Sequence, residues 1–428
     1  MVGHNNGLEG AVGSGGLKEE NKFFLCYFET TRDCNLNCPY CMTRTASKPC
    51  GSELSTEEIK RLVIDEVRKY CSHPAMAFSG GEFLLRKDAL ELLAYTASLG
   101  MWSFINTNAT LLDREFLREI KKVTGNKVVF VFSLNSIESA THEWSRDDSI
   151  NTVIKAAKLC AKEKINFFFI STISKKNLHT LKKTIGFLKS MGIPVLRSPF
   201  VLRGAGKDYA ELLFSPEDMR DVIHPVLREY ALSYVSYTPF FAGPEFLESR
   251  KKQLNVNIGQ FGCQAAKGFV GINTEGEVAP CVQMLDSEVK CGNVKETPLL
   301  KILKDNDILN ALRERNTLKG KCGICRYKHT CGGCRAVAYY KTGDYLESDP
   351  NCFFEPEDAS TISEHEALQN ENADKFIDFI SHHEPYRSLF SPGAVAAIKA
   401  AKRKPIRRRV IGKMKEYISS AVGVLTGK

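Results

Sequence analysis

The 428-residue chain has no run of eighteen apolar residues, which excludes a membrane-spanning helix of ordinary length. Its opening stretch, MVGHNNGLEGAVGSGG, also lacks the apolar core of a secretory signal. Both absences predict a cytoplasmic protein. Most of the chain lacks a charge bias too. The net charge is +9, but residues 399–428 hold ten Lys/Arg and a single Glu, so the rest is balanced and any role for positive charge falls to the tail. There is no internal repeat beyond a β/α alternation.

Cysteine is abundant. The chain has fifteen, an odd number, in a compartment where thiols stay reduced, so the pattern favours metal ligation over a disulfide framework. Three lie between 34 and 41 and eight between 263 and 352.

From 23 to 205, apolar strand-like runs alternate with amphipathic helical patterns. FFLCYFETT, AMAFS, WSFIN, KVVFVFSLN, INFFFISTI and PVLRSPFVL read as six strands, with helices expected near 55–71, 87–99, 113–122, 150–163 and 178–191. The first helix opens on a Ser55/Glu58 capping pair. Strands covered on both faces by crossover helices predict an α/β fold with a parallel sheet, closed or partly closed into a barrel, with its ligands at the carboxyl ends of the strands. Residues 1–22 are read as a flexible N-terminal segment, 206–262 as a helical connector, 263–355 as a cysteine-rich module, 356–398 as a polar linker and 399–428 as a basic amphipathic helical tail.

The first cysteine cluster, DCNLNCPYC at 33–41, leaves the end of the first strand, on that ligand-binding rim. Four thiolates complete a tetrahedral zinc site or a cubane cluster; three leave one metal without a protein ligand. Such a metal can be chelated by a small molecule bearing an amine and a carboxylate. On this motif alone, a partial zinc site or three buried cysteines stand beside that reading.

The constellation resembles the radical S-adenosylmethionine family, whose loop is Cys-x3-Cys-x2-Cys with an aromatic residue before the last cysteine, here Cys34, Cys38, Tyr40 and Cys41. FSGGEF after the second strand matches the family's Gly-Gly-Glu element, which implies that Gly80, Gly81 and Glu82 hold the methionine amino group. NTNAT and SLNS, after the third and fourth strands, match in place and imply cofactor contacts from Asn108, Ser133 and Asn135. Arg146 falls where related enzymes set an arginine on the methionine carboxylate. Phe83, Ala109 and Asn135 depart from the usual proline, glycine and aspartate. The resemblance implies a [4Fe–4S] cluster that cleaves S-adenosylmethionine to a 5′-deoxyadenosyl radical, which abstracts hydrogen from a substrate. It further implies anaerobic work and a low-potential electron donor such as a ferredoxin or flavodoxin.

The later cysteines run Cys263, Cys281, Cys322-x2-Cys325-x5-Cys331-x2-Cys334 and Cys352. On spacing alone, Cys322, Cys325, Cys331 and Cys334 also suit a zinc ribbon. The whole set resembles the SPASM extension of radical enzymes, a small module with one or two auxiliary iron–sulfur clusters. That resemblance implies a nearer cluster on Cys263, Cys281 and Cys334 and a farther one on Cys322, Cys325, Cys331 and Cys352. The fourth ligand of the nearer cluster is either Cys291 or an open position. The fold expected is therefore a partial parallel (β/α)6 barrel, a SPASM module and a basic tail.

The segment CGGCRAVAYYKTGDYLESDPNC is similar to porphyrin-processing members, so the substrate expected is a tetrapyrrole or a peptide, with a membrane lipid as a further class. Val282 after the Gly-x4-Cys cysteine counts against sulfatase maturation. The rival from another class is a non-catalytic iron–sulfur or zinc scaffold. In 406–425, apolar residues recur every three or four positions beside Arg407, Arg408 and Arg409, which suits an anionic membrane surface or an acidic partner. Without interleaved aromatics, nucleic acid is not expected.

Overall fold

The Phe-, Val- and Ile-rich runs form six strands: β1 (Phe23–Glu29), β2 (His73–Ser79), β3 (Trp102–Thr107), β4 (Val128–Ser133), β5 (Asn166–Ile173) and β6 (Val195–Pro199). The structure, a computed structural model, describes residues 23–44, 53–71, 73–148, 150–190, 195–230, 262–325, 328 and 331–356. The N-terminal segment, much of the connector and the basic tail lie outside the described residues.

Every neighbouring pair from β1 to β6 is parallel, and the strands lie side by side in chain order. The sheet continues past β1 into the cysteine-rich segment. There β7 (Phe269–Ile272) pairs parallel to β1, from Leu25 opposite Phe269 to Phe28 opposite Ile272. Antiparallel β8 (Glu277–Ala279) and β9 (Gly292–Asn293) complete nine strands. The free edge of β1 is thus occupied by β7, the barrel stays partial, and the strand that leads into the first cysteine loop shares one sheet with the strands on either side of Cys281.

Alternation along the strands explains the two cores. Phe24, Cys26 and Phe28 of β1 and Val128, Phe130 and Phe132 of β4 pack beneath the helices. Tyr27, Val129 and Val131 face the opposite side, with Ala75, Ala77, Phe104 and Phe168. Both faces are buried, as parallel sheets require. Truncating fully buried Phe132 to Ala costs about 3–5 kcal/mol.

The expected helices form at Ala89–Ser98, Arg114–Thr124, Ile150–Glu163 and Leu178–Ser190. The helix expected near 55–71 forms over Thr56–Tyr70, opening with the Ser55–Glu58 capping box and passing through a π turn, Ile59–Ile64. A further helix that the apolar pattern did not signal, Ser139–Arg146, follows β4. It is short and polar, with no continuous apolar stripe. No described helix is long and apolar enough to cross a membrane.

Candidate functional site

The cysteine loop leaves β1 at its carboxyl end and is held from three sides. Upstream, Gly81 N–H donates to the Thr31 carbonyl at 2.7 Å and Glu82 N–H to the Asp33 carbonyl at 2.8 Å. A Cβ on Gly80 would lie 2.3 Å from the Thr31 oxygen, and one on Gly81 2.1 Å from the Asp33 oxygen. The glycine pair therefore admits the loop's own backbone. Downstream, Ala205 N–H donates to the Cys41 carbonyl at 3.0 Å, and a Cβ on Gly204 would stand 2.7 Å from that oxygen. No motif marked Gly204. The third hold comes from the Ser139–Arg146 helix. The Arg146 carbonyl accepts from Cys38 Sγ at 3.0 Å, and Asp147 Oδ2 accepts from Asn37 N–H at 2.9 Å.

Between these supports lies a solvent-open cleft of about 1050 Å³. Cys34, Cys38, Cys41, Tyr40, Gly80, Gly81, Asn108, Ser133 and Arg146 all line it, so the structure gathers most of the residues singled out by their motifs. Cys34 is exposed, Cys41 half-buried and Cys38 buried. Burial raises the Cys38 thiol, and Arg146 opposes that rise.

Glu82 and Asn135 stand behind the cleft wall. Glu82 is fully buried; Oε2 accepts from Thr107 Oγ1 at 2.9 Å and Asn108 N–H at 2.8 Å, and Oε1 accepts from Leu84 N–H at 3.1 Å. Burial raises its carboxyl above the usual range, against these hydrogen bonds. In this position the Glu82 carboxylate ties the end of β2 to the end of β3. Asn135 donates from Nδ2 to Tyr40 Oη at 3.1 Å and to Ser145 Oγ at 3.0 Å, while its Oδ1 accepts from Thr172 N–H at 2.9 Å. Ser145 donates its hydroxyl hydrogen to the His142 carbonyl and so accepts from Asn135, a bond an aspartate could not donate. Phe83 stacks on Phe78 with centroids 4.7 Å apart.

A second cavity of about 810 Å³ shares Met42, Ser79, Asn106, Ile170, Ser198 and Gln283 with the first. At its far side stand Cys263, Cys281 and Cys334, between Tyr27, Phe269 and Val282. Cys291 is packed elsewhere, in the main core with Leu299 and Ile302, and does not line this cavity. A third space, about 420 Å³, is lined by Cys322, Cys325, Cys331 and Cys352 together with Asp349 and Lys328. The interleaved cysteines thus separate into a set of three and a set of four, with Cys334 in the first.

Among the described residues no three His, Cys, Asp or Glu side chains close on a point, as a single-ion site would require. The thiols stand around spaces instead, which suits a group several atoms across. Burial lifts Cys281 and Cys352 to about 12, so these thiols stay neutral until a metal displaces the proton. Donors already point at the sulfurs: Val337 N–H at Cys334, Gly333 N–H at Cys331 and Asp349 N–H at Cys322, all at 3.4–3.5 Å. The residues present fit clusters with sulfur ligands.

Comparison with known proteins agrees with this geometry. Residues 28–188 match the radical SAM superfamily and residues 263–334 an iron–sulfur cluster-binding domain, SPASM. An AdoMet-dependent heme synthase from Methanosarcina barkeri is 30% identical over 78% of this chain and 97% of its own length. A PqqA peptide cyclase from Granulibacter bethesdensis is 25% identical over 77% of this chain and 86% of its own. The crystal structure of Streptococcus suis SuiB bound to S-adenosylmethionine shares the fold, with a TM-score of 0.59 and 18% identity over 78% of each chain. The chain belongs to the radical S-adenosylmethionine superfamily, in the branch that carries a SPASM auxiliary-cluster domain.

Proposed function

We propose that this enzyme abstracts hydrogen from a tetrapyrrole held between the Cys34 loop and the Cys263/Cys281/Cys334 set. One observation carries the proposal: the two thiol sets open on adjoining cavities that share six wall residues. The cluster and S-adenosylmethionine supply one-electron carbon–sulfur cleavage and the 5′-deoxyadenosyl radical.

The chain's own residues do the positioning. Cys34, Cys38 and Cys41 give three thiolates to the catalytic cluster and leave one corner for S-adenosylmethionine. The backbone of Gly80 and Gly81, with Asn108, Ser133 and Arg146, lines the space for its amino-acid end, and Arg146 supplies the cation for its carboxylate. Tyr40, fixed by Asn135, packs edge-on against Phe200 at 5.4 Å and closes one side. The cleft is open to solvent, so bound S-adenosylmethionine and substrate would themselves displace water from the path between the cavities.

Cys263, Cys281 and Cys334 would hold the nearer auxiliary cluster, and Cys291, packed in the core, would not be among its ligands. Cys322, Cys325, Cys331 and Cys352 hold the farther one. Tyr27, Phe269, Met42, Ile170 and Val282 form apolar walls, and Gln264 and Gln283 supply polar contacts. That lining suits a flat macrocycle with a polar periphery. The heme synthase relative, covered over nearly its whole length, supports this substrate over a peptide. Electrons come from a low-potential ferredoxin or flavodoxin. The basic segment 399–428 serves an anionic membrane or an acidic partner.

The test is anaerobic reconstitution of the full chain, then dithionite, S-adenosylmethionine and an iron tetrapyrrole bearing propionates. The expected result is 5′-deoxyadenosine formation with a change in tetrapyrrole mass, both lost in Cys38→Ala. Conversion of a peptide with the tetrapyrrole left intact would overturn the substrate assignment.

A further inference from the structure

Three arginines are almost wholly removed from solvent: Arg203, Arg315 and Arg335. Arg203 is paired with two carboxylates. The other two form no ion pair with a carboxylate among the described residues. Arg335 has the carboxyl groups of Asp349 and Asp344 in its vicinity, whereas Arg315 faces thiols and another arginine, and a guanidinium taken out of water without a counter-charge is costly. Both sit against the thiol sets, and the following inference rests on those sets holding clusters.

Arg315 donates from Nη2 to the Cys263 carbonyl, while Cys263 N–H donates to the Cys331 carbonyl at 2.9 Å. It therefore lies at the junction of the three-cysteine and four-cysteine sets. Its Nε and Nη1 are buried with no hydrogen-bond partner. Its backbone is left-handed, φ 57°, which costs a non-glycine residue strain. A glycine would relieve that strain, so the side chain is what this position requires. Arg335 reaches Cys322 Sγ from Nη2 at 3.5 Å, and its Nε is likewise buried without a partner.

The two glycines of Cys331-Gly-Gly-Cys334 complete the pattern. A Cβ on Gly332 would stand 2.6 Å from Arg315 Nη1, and one on Gly333 2.6 Å from Arg335 Nη2 and 3.0 Å from Cys322 Sγ. Each glycine admits one guanidinium to the sulfur-lined space. Both are also left-handed, at φ 69° and 58°.

We propose that Arg315 and Arg335 are the counter-cations of the two auxiliary thiolate sets, and that Arg315, shared between them, holds up the reduction potentials of both clusters. One-electron reduction adds one negative charge to a cluster, and a fixed cation in a dry site favours that state. The unpartnered N–H groups find their acceptors in the thiolates and the sulfides they hold.

The test uses the full chain, reconstituted anaerobically as wild type, Arg315→Met and Arg315→Lys, with iron and sulfide counted and each cluster titrated by EPR. Arg315→Met is expected to shift the auxiliary equilibria at least tenfold toward the oxidised state, which is about 59 mV for one electron. Arg315→Lys should stay within threefold, and the Cys34-loop cluster should be unmoved in both. Auxiliary potentials within threefold of wild type in Arg315→Met overturn the proposal. If Arg315→Met loses auxiliary iron, iron retained by Arg315→Lys supports the counter-charge, and equal loss from both overturns it. Wild-type protein without auxiliary iron would instead overturn the cluster assignment beneath it.

Discussion

Arg203→Met should be among the most damaging single changes outside the cysteine loops. Arg203 is 1% exposed, and all five of its N–H donors are used. Nε donates to the Leu285 carbonyl at 2.9 Å; Nη1 to Glu29 at 2.7 Å and the Val282 carbonyl at 2.8 Å; Nη2 to Glu29 at 2.7 Å and Asp286 at 2.8 Å. These bonds join the end of β1 to the stretch just after Cys281. The two arginines facing Asp286, Arg203 and Arg32, hold its carboxyl at about 2 despite burial that pushes the other way. Removing Arg203 leaves Glu29, 2% exposed, without its cation, at about 3–5 kcal/mol. Two carbonyls also lose donors, at about 1 kcal/mol each. Equilibrium urea unfolding of the reconstituted protein should therefore register a loss of roughly 5–7 kcal/mol. Glu29→Gln combined with Arg203→Met should recover part of it, because no buried charge is then stranded. A loss below about 1 kcal/mol for Arg203→Met would refute the account of this network.

Other outcomes follow from the same contacts. Gly81→Ala, whose Cβ would meet the Asp33 oxygen at 2.1 Å, should abolish 5′-deoxyadenosine formation while iron analysis shows the auxiliary sites still loaded. Cys291→Ala should keep wild-type iron content and lose roughly 1 kcal/mol in urea unfolding, since a small buried side chain is trimmed and no ligand is lost. His142 is buried, its Nδ1 accepts from Asn135 N–H at 3.3 Å, and burial with the nearby Arg146 lowers it to about 3. The folded protein therefore refuses a proton that the unfolded chain takes near 6.5. Stability should fall as pH drops from about 6.5 toward 3, by up to about 1.4 kcal/mol per pH unit, and His142→Asn should flatten that slope in pH-dependent unfolding. Flotation with anionic liposomes should separate the full chain from one ending at residue 395, and equal binding would dismiss a membrane role for the tail.

The strands were legible because parallel strands buried on both faces leave unbroken apolar runs, and Cys34, Cys38, Cys41 and the glycine pair because tight spacing is local. What could not be read depends on contacts between distant segments. Nothing near Gly204 signals that it must clear the Cys41 carbonyl, and nothing in Phe269–Ile272 signals that β1 is its partner. Glu82 was recognisable from its motif, but a sequence carries no sign that its carboxylate also accepts from Leu84, Thr107 and Asn108. Nothing local in the sequence marks Arg315 and Arg335 as buried beside the later cysteines. The Ser139–Arg146 helix escaped notice because it is held by polar contacts to the cysteine loop.

The most direct test of the central claim is EPR of the dithionite-reduced protein before and after S-adenosylmethionine, in a variant whose auxiliary cysteines Cys263 and Cys322 are replaced by Ala. If Cys34, Cys38 and Cys41 leave one iron for this ligand, the remaining cluster's g-values shift on its addition. A fully reduced cluster whose spectrum is unchanged by saturating S-adenosylmethionine would contradict the account.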